Sequence, residues 1–201
     1  MNTNYDLLME KQIAEMGGRK KLLLHVCCAP CASGCVDRLS PHFDLTLFFY
    51  NPNIDGVDEY NKRADELRRF ASLYLPGAEV IVAPFSPEEF YGAAKGLEAE
   101  PERGARCTEC YFLRLKKTAE YAMQNGFDYF ATTLTLSPLK DADRLNKIGL
   151  SLSGEEKGKY LCSDFKKRGG NVRSGELCRE FSLYRQNYCG CAFSKKNLKK
   201  V

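Results

Sequence analysis

Cysteine is the residue type in this chain with the most chemistry to offer. Ten thiols occur in 201 residues, three in HVCCAPC (25–31), two in RCTEC (106–110) and two in YCGC (188–191). Thiolate is the form that binds metal. The first two clusters sit where a helix is expected to begin, so free amides and the helix dipole favour negative charge there, and Arg106 adds a cation beside the second. The clusters are distant in sequence but meet if both helices start at one sheet edge, and Cys27, Cys28, Cys31, Cys107 and Cys110 then surround one space. Two CxxC pairs, Cys28/Cys31 and Cys107/Cys110, would also make a tetrahedral zinc site. Against zinc, 75 residues separate Cys31 from Cys107 and Cys27 is left over. Adjacent cysteines at a strand end point in different directions, which suits a multi-metal centre, and iron-sulfur is the favoured reading.

With one glycine between them, Cys189 and Cys191 can form a strained, reducible disulfide, or else serve as further ligands or idle thiols. Cys35, Cys162 and Cys178 stand alone and read as buried small hydrophobes. His25 lies inside a strand, as a hydrogen-bonded core residue within reach of a cluster sulfur, and His42 reads as a surface turn.

These groups need elements to position them. The length fits one domain, and 44% hydrophobic with 28% charged residues is the composition of a soluble globular chain. The longest apolar run, 22–30, is far short of the roughly 20 residues a membrane helix needs. The first 21 residues mix acidic with apolar positions, unlike a secretory signal, so a reducing cytoplasm is expected, where cysteines bind metal or do redox chemistry.

KLLLHVC (21–27), DLTLFFYN (44–51), EVIVAP (79–84) and DYFATT (128–133) read as buried strands. Helical spacing covers 5–17 through Leu7, Leu8, Ile13, Ala14 and Met16, and 57–75 through Val57, Tyr60, Ala64, Leu67, Phe70, Ala71 and Tyr74. One helix fits between the first two strands. Another opens at Ser86-Pro87-Glu88-Glu89, a cap, a first-turn proline and a returning glutamate. A further one runs through Phe112, Leu115, Ala119 and Met123, after a mobile loop over 96–106. The alternation predicts an α/β fold, a mostly parallel open sheet with helices on both faces in one domain spanning 1–201. Sites of such sheets lie at the strands' C-terminal ends, where Cys27-Cys28 meet the loop carrying Thr132, Thr133, Ser137 and Lys140.

Charge is uneven. Residues 1–137 carry 15 Lys/Arg against 19 Asp/Glu, net −4, and 138–201 carry 15 against 7, net +8. A basic C-terminal region of this kind fits a partner with a phosphate backbone. Lys166, Lys167, Arg168, Arg173 and Arg185 supply much of that charge, interleaved with tyrosines and glycines that can stack bases and hold phosphates. The same stretch also reads as a solvated loop. No GxxxxGK[ST] stretch occurs and Ala32-Ser33-Gly34 imitates an SGGxDS loop poorly, so ATP is not expected.

Together LLLHVCCAPCAS, ARCTECYFLRL, TTLTLSPLKD, DFKKRGGNVRSGEL and LYRQNYCGCAFS resemble, in order along nearly the whole chain, the cobalamin-independent epoxyqueuosine reductase family of queuosine biosynthesis. The resemblance implies a nucleotide-hydrolase-like (Rossmann-like) α/β sheet. It implies reduction of epoxyqueuosine to queuosine at the wobble position of tRNAs with GUN anticodons (the Asp, Asn, His and Tyr types), with a [4Fe-4S] cluster, an additional iron ion and an external electron donor, and without cobalamin. Cys27, Cys28, Cys107 and Cys110 then look like metal ligands. Cys31 looks like a ligand of the extra iron, a position where family members can place aspartate. Cys189 and Cys191 look like a redox pair. The alternative from another class is a non-catalytic, zinc-stabilised RNA-binding protein.

Overall fold

The computed structural model describes residues 3–198. A five-stranded sheet forms its centre, with spatial order β3-β2-β1-β4-β5 and every pairing parallel. The strands are β1 (Lys20–His25), β2 (Phe43–Phe49), β3 (Glu79–Val82), β4 (Tyr129–Thr132) and β5 (Lys159–Tyr160). Among the described residues the helices are α1 (Tyr5–Ala14), α2 (Ala29–Leu39), α3 (Val57–Tyr74), α4 (Pro87–Ala94), α5 (Ala105–Gln124), α6 (Ala142–Ser151), α7 (Gly170–Glu180) and α8 (Ala192–Leu198). No helix among the described residues is long and apolar enough to cross a membrane.

The period-two geometry of β1 divides the core. Leu22 and Leu24 face a cluster built with α2 and α3, and Leu23 faces one built with α5 and α6. Both faces are thus covered, which is why the strands read as continuous apolar runs. β1 and β4 are neighbours, and the chain leaves them in opposite directions across the sheet, β1 toward β2 and β3, β4 toward β5. That is a topological switch point, and a crevice opens there beyond the strand ends.

Several helix faces differ from their reading in sequence. On α1 the buried residues are Tyr5, Asp6 and Met9, with Leu7 and Leu8 exposed. Asp6 is held inside by Arg38 at 2.7 Å. On α5 the buried stripe runs through Tyr111, Arg114, Leu115, Thr118, Ala119 and Ala122, leaving Phe112 and Met123 exposed. Ser86 caps α4 without a side-chain bond, and the Glu89 carboxylate, instead of returning to it, accepts the Tyr50 hydroxyl at 2.7 Å.

The segment read as a mobile loop is tied down. Arg106 is buried and donates to the carbonyls of Leu97, Glu98 and Glu100 at 3.1, 3.0 and 2.6 Å. Arg103 bridges to the Leu139 carbonyl at 2.8 Å. The FKKRGG stretch is likewise more than a loop. A 3-10 turn over Lys167–Gly169 leads into α7, and Gly169 makes the junction at φ +77°. α7 packs on α2 so closely that a Cβ at Gly34 would lie 2.8 Å from the Gly170 carbonyl oxygen.

Candidate metal centre and substrate cavity

The HVCCAPC turn leaves β1 at the switch point and enters α2, with Cys28 as the extended N-cap residue and Pro30 in the first turn. The Sγ atoms of Cys27, Cys28 and Cys31 all lie within 4.8 Å of one another, and Cys27 and Cys28 are 3.8 Å apart. Hydrogen bonds from Cys28 and Cys31 hold the Cys27 thiol below its usual range, and Lys140 and Thr133 add to this. The bond to Cys27, with burial, pushes Cys28 up to about 12, and the bonds to Cys27 and Cys28, with burial, push Cys31 well above the ordinary thiol value. Three thiols this close offer the donor chemistry of a site for a thiophilic metal.

A cavity of about 300 Å³ opens on these thiols. Ser137 and Lys140 from the loop after β4 line it, together with Arg63, Glu102, Arg114, Arg185, Gln186 and Cys189. Lys140 is held above its usual range against the effect of burial, with negative charge on the Cys27 sulfur favouring its protonated form. Thr132 and Thr133 do not line the cavity; they lie behind it. Thr133 Oγ1 accepts the Cys27 amide at 3.4 Å and stands 3.7 Å from its sulfur. Thr132 meets His25, whose ring nitrogens contact Thr132 Oγ1 and the Tyr50 carbonyl and no sulfur.

Cys107 and Cys110 occupy the first turns of α5. They fall outside the mutually close set of three. Cys107 Sγ accepts the Arg103 amide at 3.3 Å, and burial raises both thiols, Cys110 to about 12. Cys110 shares a small apolar cluster with Cys191, Phe90 and Ala94. Cys189 and Cys191 are free thiols here, Cys189 on the cavity wall and Cys191 buried. The cysteines therefore form a trio at α2 and a second group in which Cys110 of α5 meets Cys191, and neither Cys107 nor Cys110 lines the cavity. Cys35, Cys162 and Cys178 are buried, and His42 lies in an exposed turn.

The basic residues are more engaged than their sequence implies. Lys166 pairs with Asp164 at 2.6 Å, Arg168 with Asp6 at 2.8 Å and Arg173 with Asp37 at 2.7 Å. Lys167 and Arg185 are exposed and make no ion pair among the described residues, and Arg185 stands at the cavity rim. Sequence reasoning missed Arg63 and Arg114. Each interrupts an apolar helical stripe, Arg63 between Tyr60 and Ala64 and Arg114 between Tyr111 and Leu115, and an arginine on a buried face is the signal that could have found them.

A family model described as "Epoxyqueuosine reductase QueH" matches residues 22–197. Curated relatives carry the same name. The one from Streptococcus pyogenes serotype M1 is 41% identical over 201 residues, covering 96% of this chain and 78% of the relative. That from Staphylococcus epidermidis is 42% identical over 200 residues, covering 95% and 84%. That from Thermotoga maritima is 36% identical over 179 residues, covering 86% and 89%.

Proposed function

The chain belongs to the epoxyqueuosine reductase QueH family, and from that premise we propose that it reduces epoxyqueuosine to queuosine in tRNA, with its α2 and α5 thiols holding an iron-sulfur centre. The reaction removes the epoxide oxygen as water, consuming two electrons and two protons and leaving the two ring carbons doubly bonded. A [4Fe-4S] cluster with an adjacent iron supplies, when bound, the electrons one at a time and a Lewis acid for the oxygen. Cys27, Cys28, Cys107 and Cys110 are the proposed cluster ligands, with Cys31 toward the extra iron. The convergence of three thiols on one cavity at the switch point carries this reading. Buried Arg114 on the same wall, without a carboxylate partner among the described residues, also fits an anionic group there.

The chain's own residues do the rest. Lys140 and Ser137 line the cavity beside the thiols and can give hydrogen bonds to a departing oxygen. Cys189, on the wall, and Cys191, beside Cys110, are the proposed thiol pair through which an external donor's electrons pass. The basic region over about 138–201 is the proposed face for tRNA phosphates, and the proposed partners are tRNAs with GUN anticodons in the cytoplasm. Lys167 and Arg185 are its foremost contacts, while Lys166, Arg168 and Arg173 sit beside carboxylates that offset their charge.

Anaerobic purification followed by iron and sulfide assay tests the reading. A brown protein with broad absorbance near about 400 nm is expected. Cys107→Ala and Cys110→Ala should each remove iron and activity together while Cys35→Ala keeps both, with circular dichroism checking the fold. A colourless chain holding one zinc ion would return the protein to the RNA-binding alternative.

A further inference from the structure

Arg114 lies on α5 one turn beyond Cys110 and is 1% exposed. Its Nε donates to the Cys110 carbonyl at 3.2 Å, so the side chain folds back toward the thiol end of the helix. Nη1 reaches Asn51 Oδ1 at 3.4 Å, and Asn51 is itself fixed by donating to the Val26 carbonyl at 2.9 Å. Nη2 has no hydrogen-bond partner, and no carboxylate pairs with the guanidinium among the described residues. Arg63, equally buried on α3 and lining the same cavity, has Glu59 at 2.7 Å.

An arginine keeps its proton in a protein interior, and a buried charge without a counter-charge is strongly unfavourable. Arg114 lines the cavity on which the α2 thiols open. It shares the cavity wall with Cys27, Cys28, Cys31 and Cys189, and Cys110 lies one turn away. We infer that Arg114 is a positioning residue whose guanidinium is the fixed counter-charge of the anionic metal–thiolate centre, retaining the metal and raising the centre's reduction potential. The inference rests on the metal reading above. A fixed positive charge favours the reduced, more negative state of the centre, and groups just outside the ligands govern both retention and potential.

The test compares wild type with Arg114→Met, which keeps much of the bulk and loses the charge, and Arg114→Lys, which keeps the charge. In the iron-loaded protein, Arg114→Met should lower the midpoint potential in an EPR-monitored redox titration. It should also release iron to a chelator about tenfold faster or more, with Arg114→Lys recovering much of both. In the metal-free protein Arg114→Met should melt no lower than wild type, because it removes an uncompensated buried cation. A Met variant with wild-type potential and iron retention overturns the inference. So does one that loses as much stability without metal as with it, or fails to fold, since Arg114 would then serve the helix–strand framework. A wild-type chain that takes up no iron overturns the metal reading along with it, and is recognised before any variant is made.

Discussion

Thr132 Oγ1 and His25 Nδ1 meet at 2.9 Å across the β1–β4 pair, one residue before the loop that lines the cavity. His25 Nε2 contacts the Tyr50 carbonyl at 3.1 Å. A carbonyl only accepts, so Nε2 carries the proton and Nδ1 accepts the threonine hydroxyl. The neutral ring is fully bonded, and it joins β1, β2 and β4 at the level where the cysteine turn begins.

A pH dependence of folding follows. Burial first, and the Arg114 charge second, push the His25 pKa down to about 3 from 6.5. Below pH 6.5 the unfolded chain binds a proton that the native chain refuses until about pH 3. The stability is therefore present above the unfolded value and lost as pH falls through that window, by up to about 1.4 kcal/mol per pH unit. Urea unfolding of wild type and His25→Gln at several pH values between these limits checks this. The variant is less stable at neutral pH and has a flatter slope, and equal slopes would reject the assignment.

The approach of α7 to α2 makes a second prediction. A Cβ at Gly34 would lie 2.8 Å from the Gly170 carbonyl oxygen and 2.9 Å from Leu136 Cδ2. Gly34→Ala should therefore destabilise the chain by about 1–3 kcal/mol and loosen the helix that starts at the cysteine turn. Gly92 on α4 has nothing within 4 Å of the same position, so Gly92→Ala should be stabilising by up to about 1 kcal/mol. Thermal melts of the two variants should move in opposite directions.

The strands and the site's location were legible because apolar runs and turn residues are local signals. The parallel sheet, the switch point and the convergence of Cys27, Cys28 and Cys31 follow from them. Helix faces were less legible. Leu7, Leu8, Phe112 and Met123 are apolar yet exposed, while Asp6 and Arg114 are buried with Arg38 and Asn51, distant in sequence, and Arg63 and Arg106 are buried by Glu59 and by the carbonyls of Leu97, Glu98 and Glu100. Net charge misled for the same reason. Lys166, Arg168 and Arg173 are counted in the +8 of the last third, but they pair with Asp164, Asp6 and Asp37, two of which belong to the acidic first part.

Those pairs separate the effects of basic-residue substitutions. Lys167→Glu and Arg185→Glu should weaken tRNA binding and reduce its salt dependence while leaving the melting temperature near that of wild type. Lys166→Glu sets a second carboxylate beside Asp164 and removes the donor to the Thr135 carbonyl, so it should lower the melting temperature as well. Filter binding across a salt series, with a melt for each variant, measures both. If Lys167→Glu and Arg185→Glu bind tRNA like wild type at every salt concentration, the tRNA docks elsewhere.

Metal removal should change thiol reactivity in a defined order. In the reduced, metal-free chain near neutral pH, Cys27 is half-buried and held below the usual thiol range, whereas Cys28, Cys31 and Cys110 are raised. The thiolate is the nucleophile, so iodoacetamide should label Cys27 well before those three. Loading with iron ties up the sulfurs as ligands, so labelling of Cys27, Cys28, Cys31, Cys107 and Cys110 should fall together, while Cys162, buried and outside the proposed ligand set, keeps its slow rate in both states. Mass spectrometry of cysteine peptides over a time course reads each position separately. Protection that covers the α2 trio and leaves Cys107 and Cys110 as reactive as in the metal-free chain would confine the metal to the trio and remove the α5 pair from the ligand set.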